Sequence, residues 1–315
     1  MEDWVVGIDL GATKIALGLI DTQNRIIARQ RVPTAPLDGP DAAVARMAQA
    51  IDALKSALPA GMRLTGVGIC SPGPLDHRTG MLLDPPNLTG WVNVPLRQML
   101  ADRLGLPVTL EHDAKAAALG EYHYGAGRGE RDMIYIVVGT GVGSALILDG
   151  KEHRGRNNSA GEVGHITIRS EGELCSCGNV GCVESFSAGP AIARTYRRAL
   201  AATGAPGQAE SIEAITTEII VERARGGEML AVQVLADAGE ALGTAVATLA
   251  MILDVELYVI GSSVAKAGDL LLEPARRAVA HHAHRSVAAR VRIVRSELED
   301  DGPILGCGWL ARQRS

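Results

Sequence analysis

Two glycine-tipped turns, set 128 residues apart, constrain this 315-residue chain more than any other feature. Trp4 to Asp9 is short, apolar and β-branched, as a buried strand would be. Leu10-Gly11-Ala12-Thr13-Lys14 then turns, and Ile15 to Asp21 reads as a return strand. Met133 to Val138, Gly139-Thr140-Gly141-Val142-Gly143 and Ser144 to Asp149 repeat the pattern, with Gly11 falling on Gly139 and Asp21 on Asp149. Self-similarity at this spacing points to a duplicated molecule whose halves each open on a strand–turn–strand unit. The length agrees, since about 150 residues per domain gives two domains.

Strands and helices alternate between and after these units. Asp41 to Leu58 reads as a helix stopped by Pro59 and Gly61, and Leu64 to Cys70 as a buried strand. Pro95 to Leu104 reads as a helix and Val108 to Glu111 as a short strand, after which Asp113 caps an Ala-rich helix running to about Tyr124. Gly189 to Thr203 and Glu228 to Leu253 read as helices, Gly204 to Gln208 as a polar loop, and Glu256 to Ile260 as a strand ending in Gly261-Ser262-Ser263. The alternation means an α/β fold. The expected domains are residues 1–124, joined by the last helix at about 302–315, and a larger domain over 125–301, with Gly125 to Arg131 as the boundary.

Composition narrows the function. The net charge of −5 argues against nucleic acid as the main partner. No run reaches 18 apolar residues, so no membrane span is expected, and Met1 to Trp4 does not read as a secretory signal. A cytoplasmic enzyme is the expectation. With only three Trp, five Tyr and one Phe, its cores must be built from Ala, Val, Leu and Ile.

Chemistry is concentrated in three places. In the first turn, Gly11 lets backbone N–H groups approach an anion, Thr13 adds a hydroxyl, Lys14 adds a charge, and Asp9 could hold a hydrated Mg²⁺. A plain hairpin with a solvated lysine is the alternative. The second turn leads into a strand rather than a helix, which is wrong for a dinucleotide site, and no Gly-Lys-Ser/Thr occurs. Two phosphate-type turns in duplicated positions suggest a nucleotide held between the halves.

Next comes Cys175-Ser176-Cys177-Gly178-Asn179-Val180-Gly181-Cys182, with His165 ten residues before the first cysteine. Three thiolates and one imidazole fill a closed tetrahedral Zn²⁺ shell, so the role would be structural; three free thiols are the alternative. Glu162 and Glu184 flank this stretch. Lastly, Glu111-His112-Asp113 lies at a strand-to-helix junction, where Asp113 is either a helix cap or a carboxylate facing the crevice of an α/β sheet. Cys70 and Cys307 read as buried small apolar residues, His281, His282 and His284 as a solvated helix face, and Arg154 and Arg156 as solvent-exposed.

Together, Asp9 to Lys14, Glu111 to Ala114, Gly139 to Gly143, Gly161-Glu162-Val163-Gly164-His165 and the cysteine stretch through Glu184 resemble the ROK family of sugar kinases and repressors over nearly the whole length. The resemblance implies a two-domain actin-like ATPase (ribonuclease H-like) fold with a duplicated βββαβα-type core and a structural zinc loop. It implies Asp113 as general base, and Gly73, Asn87, His112, Glu162, His165 and Glu184 as sugar-site residues. Asp9, Gly11, Thr13, Lys14, Thr140 and Gly141 would face ATP-Mg²⁺, and Gly261 would lie near the adenosine. His165, Cys175, Cys177 and Cys182 would bind structural Zn²⁺, His165 giving one ring nitrogen to zinc and the other to sugar.

The expected activity is ATP-dependent transfer of the γ-phosphoryl group to a hexose hydroxyl, glucose O6 first, with N-acetylmannosamine, N-acetylglucosamine, fructose and allose as alternatives. A non-catalytic sugar-sensing regulator is the reading from another class. Repressors of the family carry a DNA-binding domain ahead of the first turn, which begins here at Asp9, so the kinase branch is expected. The resemblance also implies a homo-oligomer, dimer or tetramer. Two departures stand out: His112 where the family commonly has asparagine, and Ser262-Ser263 where it usually has glycine.

Overall fold

The computed structural model describes residues 4–202 and 212–313, so Thr203 and the polar loop expected at Gly204 to Gln208 lie outside the described residues. The chain forms two compact units: Met1–Arg128 with Asp300–Ser315, and Gly129–Glu299.

The first unit holds β1 (Trp4–Leu10), β2 (Lys14–Ile20), β3 (Ile26–Pro33), α1 (Pro40–Lys55), β4 (Leu64–Ser71), a small hairpin of β5 (Leu75–Asp76) and β6 (Met81–Leu82), α2 (Leu96–Leu104), β7 (Val108–His112) and α3 (Asp113–Tyr124). Its sheet runs β3-β2-β1-β4-β7, antiparallel across the first three strands and parallel thereafter. Strand β1 is central, and its side chains are almost wholly buried, as expected of a strand covered on both faces. Helix α1 starts at Pro40, a residue suited to a first helical position, and buries Val44, Met47, Ile51 and Leu54 at helical spacing.

The C-terminal helix (Asp301–Arg312) belongs to this unit and packs on β1, β4 and α3. It lies so close to α3 that a Cβ at Gly306 would sit 1.8 Å from the Ala116 carbonyl oxygen. Cys70 and Cys307 are both free and buried, in one small cluster with Ala116. At the head of α3, His112, with φ −72° and ψ 142°, occupies the cap position, and Asp113 is the first helical residue. The cap expected at 113 is therefore one residue earlier.

The second unit holds β8 (Met133–Val138), β9 (Val142–Leu148), β10 (Lys151–His153), α4 (Glu184–Ser187), α5 (Gly189–Ala202), α6 (Thr217–Arg225), α7 (Met229–Leu253), β11 (Leu257–Gly261), α8 (Asp269–His282), α9 (Arg285–Ala288) and β12 (Arg292–Arg295). The sheet order β10-β9-β8-β11-β12 repeats that of the first unit, strand for strand. This is the duplicated actin-like ATPase fold. The repeat is one residue out on the return strand: Leu10 pairs with Ile15, whereas Val138 pairs with Val142, so the second hairpin is one residue tighter.

Helix α7 is long and apolar enough to cross a membrane by length and composition alone. Its Ala-rich face, including Val234, Leu235, Ala238, Leu242 and Val246, is instead packed in the core of this unit. His281, His282 and His284 are exposed at and just beyond the end of α8, as expected. Arg156 is exposed, but Arg154 is half-buried in an ion pair with Glu152 at 2.6 Å, because the β10 edge brings the two together.

Candidate active site

In the first unit, the β1–β2 turn closes through Gly11 N–H donating to Lys14 O at 3.0 Å. Thr34, fully buried after β3, pins it from behind: its hydroxyl donates to Gly11 O at 2.6 Å and its N–H to Thr13 O at 3.0 Å. No motif marks Thr34 in the sequence, because its role exists only once β3 is paired to β2. Lys14 is exposed at the mouth of a cleft of about 380 Å³ that is also lined by Asp9, Arg29, Arg31, Asp300 and Asp301.

Asp9 ends β1 beneath this turn. Burial raises its carboxyl most, and the Asp113 charge adds to that; Cys70 and Lys14 pull the other way, and the balance is pushed up to about 6. The Cys70 thiol donates to Asp9 Oδ1 at 3.6 Å. A buried carboxylate whose ionisation is opposed in this way suits a divalent cation, and Mg²⁺ binds through few carboxylates.

Asp113 sits at the strand-to-helix junction, partly exposed. Its Oδ1 accepts the Ala114 N–H at 2.6 Å and lies 2.9 Å from His112 Nδ1. Glu111 is buried and accepts the His112 N–H at 2.8 Å, fixing the backbone ahead of the junction. Gly73 lies against the His112 ring, with a Cβ built there 3.1 Å from Nε2. Asn87 is exposed on a loop anchored by the buried Leu88.

In the second unit, the cysteine loop is tied into small ladders that bridge Thr167 to Cys182 and Leu174 to Val180. The ligating atoms of His165, Cys175, Cys177 and Cys182 all lie within 4.8 Å of one another. Cys177 and Cys182 Sγ are 3.7 Å apart, and Cys175 Sγ is 3.5 Å from His165 Nδ1. A tetrahedron with Zn–S bonds of about 2.3 Å has edges of about 3.8 Å, so the residues fit zinc. Burial and the neighbouring thiols push the Cys182 thiol up, the conflict that a bound cation resolves. Because Nδ1 faces the thiols, Nε2 is the ring nitrogen left for another ligand.

Glu184 heads α4, and its carboxylate spans two motifs. Oε1 accepts the Ser176 hydroxyl at 3.0 Å, and Oε2 accepts the Val142 N–H at 3.0 Å. A Cβ at Gly141 would lie 2.6 Å from Oε2, so a larger residue there would displace the Glu184 carboxylate. Glu162 is exposed, and its loop docks on β9 through Ser144 N–H to Gly161 O at 3.1 Å. The cysteine loop, Glu184 and the Gly139–Gly143 turn thus form one connected group.

Thr140 and Gly139 also line a cleft of about 320 Å³ with Gly189, Thr217, Glu218 and Ser263. The Gly189 N–H donates to Gly139 O at 2.8 Å, and the Thr217 hydroxyl donates to Gly189 O at 2.8 Å, which tethers the turn to α5 and α6. Residues 189, 217 and 218 carry no sequence signal of this role. Gly261 is buried against Tyr135, and Ser262 after it has φ 77°, a left-handed backbone that favours glycine.

The ROK family model matches residues 5–314. A glucokinase of Halalkalibacterium halodurans is 34% identical over 99% of this chain and 96% of its own length. A xylose repressor of Caldicellulosiruptor bescii is 31% identical over 96% of this chain and 76% of its own length. Among solved structures, a ROK family glucokinase from Streptomyces griseus in complex with glucose and AMPPNP superposes with a TM-score of 0.84 at 32% identity, covering 99% of this chain and 100% of that one.

Proposed function

The chain belongs to the ROK family, and on that premise we propose that it is an ATP-dependent kinase that transfers the γ-phosphoryl group to a sugar hydroxyl, with O6 of glucose as the acceptor. The observation that carries this reading is the Asp113 carboxylate. It is held at the head of α3 by the Ala114 N–H and electrostatically coupled to Asp9.

Phosphoryl transfer passes through a loose transition state, so positioning and charge neutralisation do most of the work. Asp113 accepts the proton late, as the sugar oxygen acquires positive character, and an ionised carboxylate suffices. The backbone N–H groups of the Gly11 and Gly141 turns, with Thr13, Thr140 and Lys14, hold phosphate oxygens. Mg²⁺ bound through Asp9 and the nucleotide would supply charge neutralisation at the phosphates. The cleft beside Thr140 receives the nucleoside, with Gly261 nearby. Glu162, His165 Nε2, Glu184, Asn87 and the Gly73 backbone bind sugar hydroxyls. His165 and the three cysteines would hold zinc, which would fix the loop that carries these carboxylates.

The xylose repressor relative favours a second reading, a sugar sensor without turnover. A sensor has no use for a positioned base beside Asp9, and that supports the kinase. Measuring ADP release across glucose, N-acetylmannosamine, N-acetylglucosamine, fructose and allose tests the proposal. Glucose turnover is expected, and no turnover with any sugar would favour the sensor. The proposed setting is the cytoplasm, at the entry of free glucose into carbohydrate metabolism.

A further inference from the structure

We propose that His112 is a positioning residue for the base: its Nδ1–H holds Oδ1 of Asp113, so that Oδ2 alone is left to take the sugar proton. This rests on the reading of Asp113 as general base.

His112 Nδ1 lies 2.9 Å from Asp113 Oδ1 and 3.4 Å from the Ala114 nitrogen. Both contacts cannot be hydrogen bonds at once. When the imidazole is protonated, Nδ1–H is the donor that faces Oδ1, an ion pair at 2.9 Å; only the neutral ring can accept the Ala114 N–H instead. The Ala114 N–H then belongs to Asp113 Oδ1, at the shorter 2.6 Å. Oδ1 therefore takes two donors, one from the backbone and one charge-assisted, and the carboxyl plane is fixed. Asparagine, common at this position in the family, would not carry the charge.

The ring is held from its other edge as well. A Cβ placed on Gly73 would meet His112 Cδ2 at 3.0 Å and Nε2 at 3.1 Å, so the turn at Gly73 abuts the imidazole. The electrostatics agree. Burial opposes the imidazolium most strongly, yet the bond and charge of Asp113 outweigh it, and His112 ends above its ordinary value. Lys115 on α3 opposes the ring's charge and Glu111 on β7 supports it. Asp9 on β1 bears on Asp113, and the 72–74 turn contributes no charged group.

The test is a pair of variants read three ways. His112→Ala should lower kcat about tenfold, the usual worth of a charge-assisted hydrogen bond, with sugar KM within about twofold. His112→Asn, whose amide can place an N–H near the Nδ1 position, should recover most of kcat. The third reading is the His112 ring titration by NMR in the intact protein: Asp113→Asn should lower the midpoint below that of the unaltered chain.

An unchanged kcat in His112→Ala would overturn the proposal. So would a rise in sugar KM alone, which would make His112 a sugar contact. If His112→Ala does not fold, an unmoved NMR midpoint in Asp113→Asn overturns it independently. Full turnover in Asp113→Asn would instead remove the base reading beneath it, so the two failures are distinguishable.

Discussion

Glu184 Oε2 accepts the backbone N–H of Val142 at 3.0 Å, joining the residue that follows the cysteine loop to the glycine turn that opens the second unit. Its other oxygen accepts the Ser176 hydroxyl, between Cys175 and Cys177. One carboxylate therefore ties the cysteine loop to the Gly139–Gly143 turn, although 42 residues separate Glu184 from Val142.

That link makes zinc loss a functional event. Complete removal of zinc, verified by metal analysis, should lower the melting temperature by more than about 5 °C, as loss of a few kcal/mol does in a protein of this size. It should also weaken sugar binding, because Glu162, His165 and Glu184 all hang on the loop. Calorimetric melting and sugar titration on the same metal-stripped sample check this; unchanged values for both would contradict it.

Asp9 carries the strongest pH prediction. Its folded value, about 6, lies above the ordinary 3.8. Its burial therefore costs nothing below pH 3.8, an increasing amount between 3.8 and about 6, and a constant amount above that. Without Mg²⁺, Asp9→Asn should stabilise the protein above pH 6 by about 1–3 kcal/mol, a gain that fades as pH falls towards 3.8. The same variant should lose most Mg²⁺-dependent turnover. Denaturant melts at several pH values are the check, and a stabilisation independent of pH would count against it.

Ser262 offers a simpler test. Its φ of 77° puts an L side chain in the left-handed region, at a cost of about 1 kcal/mol that glycine avoids. Ser262→Gly should therefore stabilise the protein or leave it unchanged, with glycine's greater unfolded-state freedom offsetting part of the gain. A loss of stability above about 1 kcal/mol in equilibrium unfolding would mean that the Ser262 side chain earns its place.

How much of this was legible in the sequence depended on whether the signal was local. The strand–turn–strand units, the four ligands of the cysteine loop and the start of α3 could all be read because apolar runs, glycines and cysteines mark them. The edge strands β3 and β12 could not. Ile26–Pro33 alternates half-buried and exposed residues with two arginines facing outward, and Arg292–Arg295 has only two apolar residues, so neither stands out from loop. Only the end of α8 was read as helix, at His281 and His282, since Pro274 interrupts the pattern before it. Within the site, Thr34, Gly189 and Thr217 act only by reaching residues distant in sequence. The pairing of His112 with Asp113 joins neighbours in the chain, but ring orientation is set by the turn at Gly73, which sequence spacing does not reveal.

The central claim is that Asp113 takes the proton from a sugar hydroxyl. Its most direct test is steady-state ADP release with glucose and ATP-Mg²⁺, alongside glucose binding, for the unaltered protein and Asp113→Ala. The account predicts turnover in the former, and in the variant a fall in kcat of about 10²–10⁴ with glucose affinity kept within a few-fold. Undiminished turnover in a folded Asp113→Ala protein would contradict it.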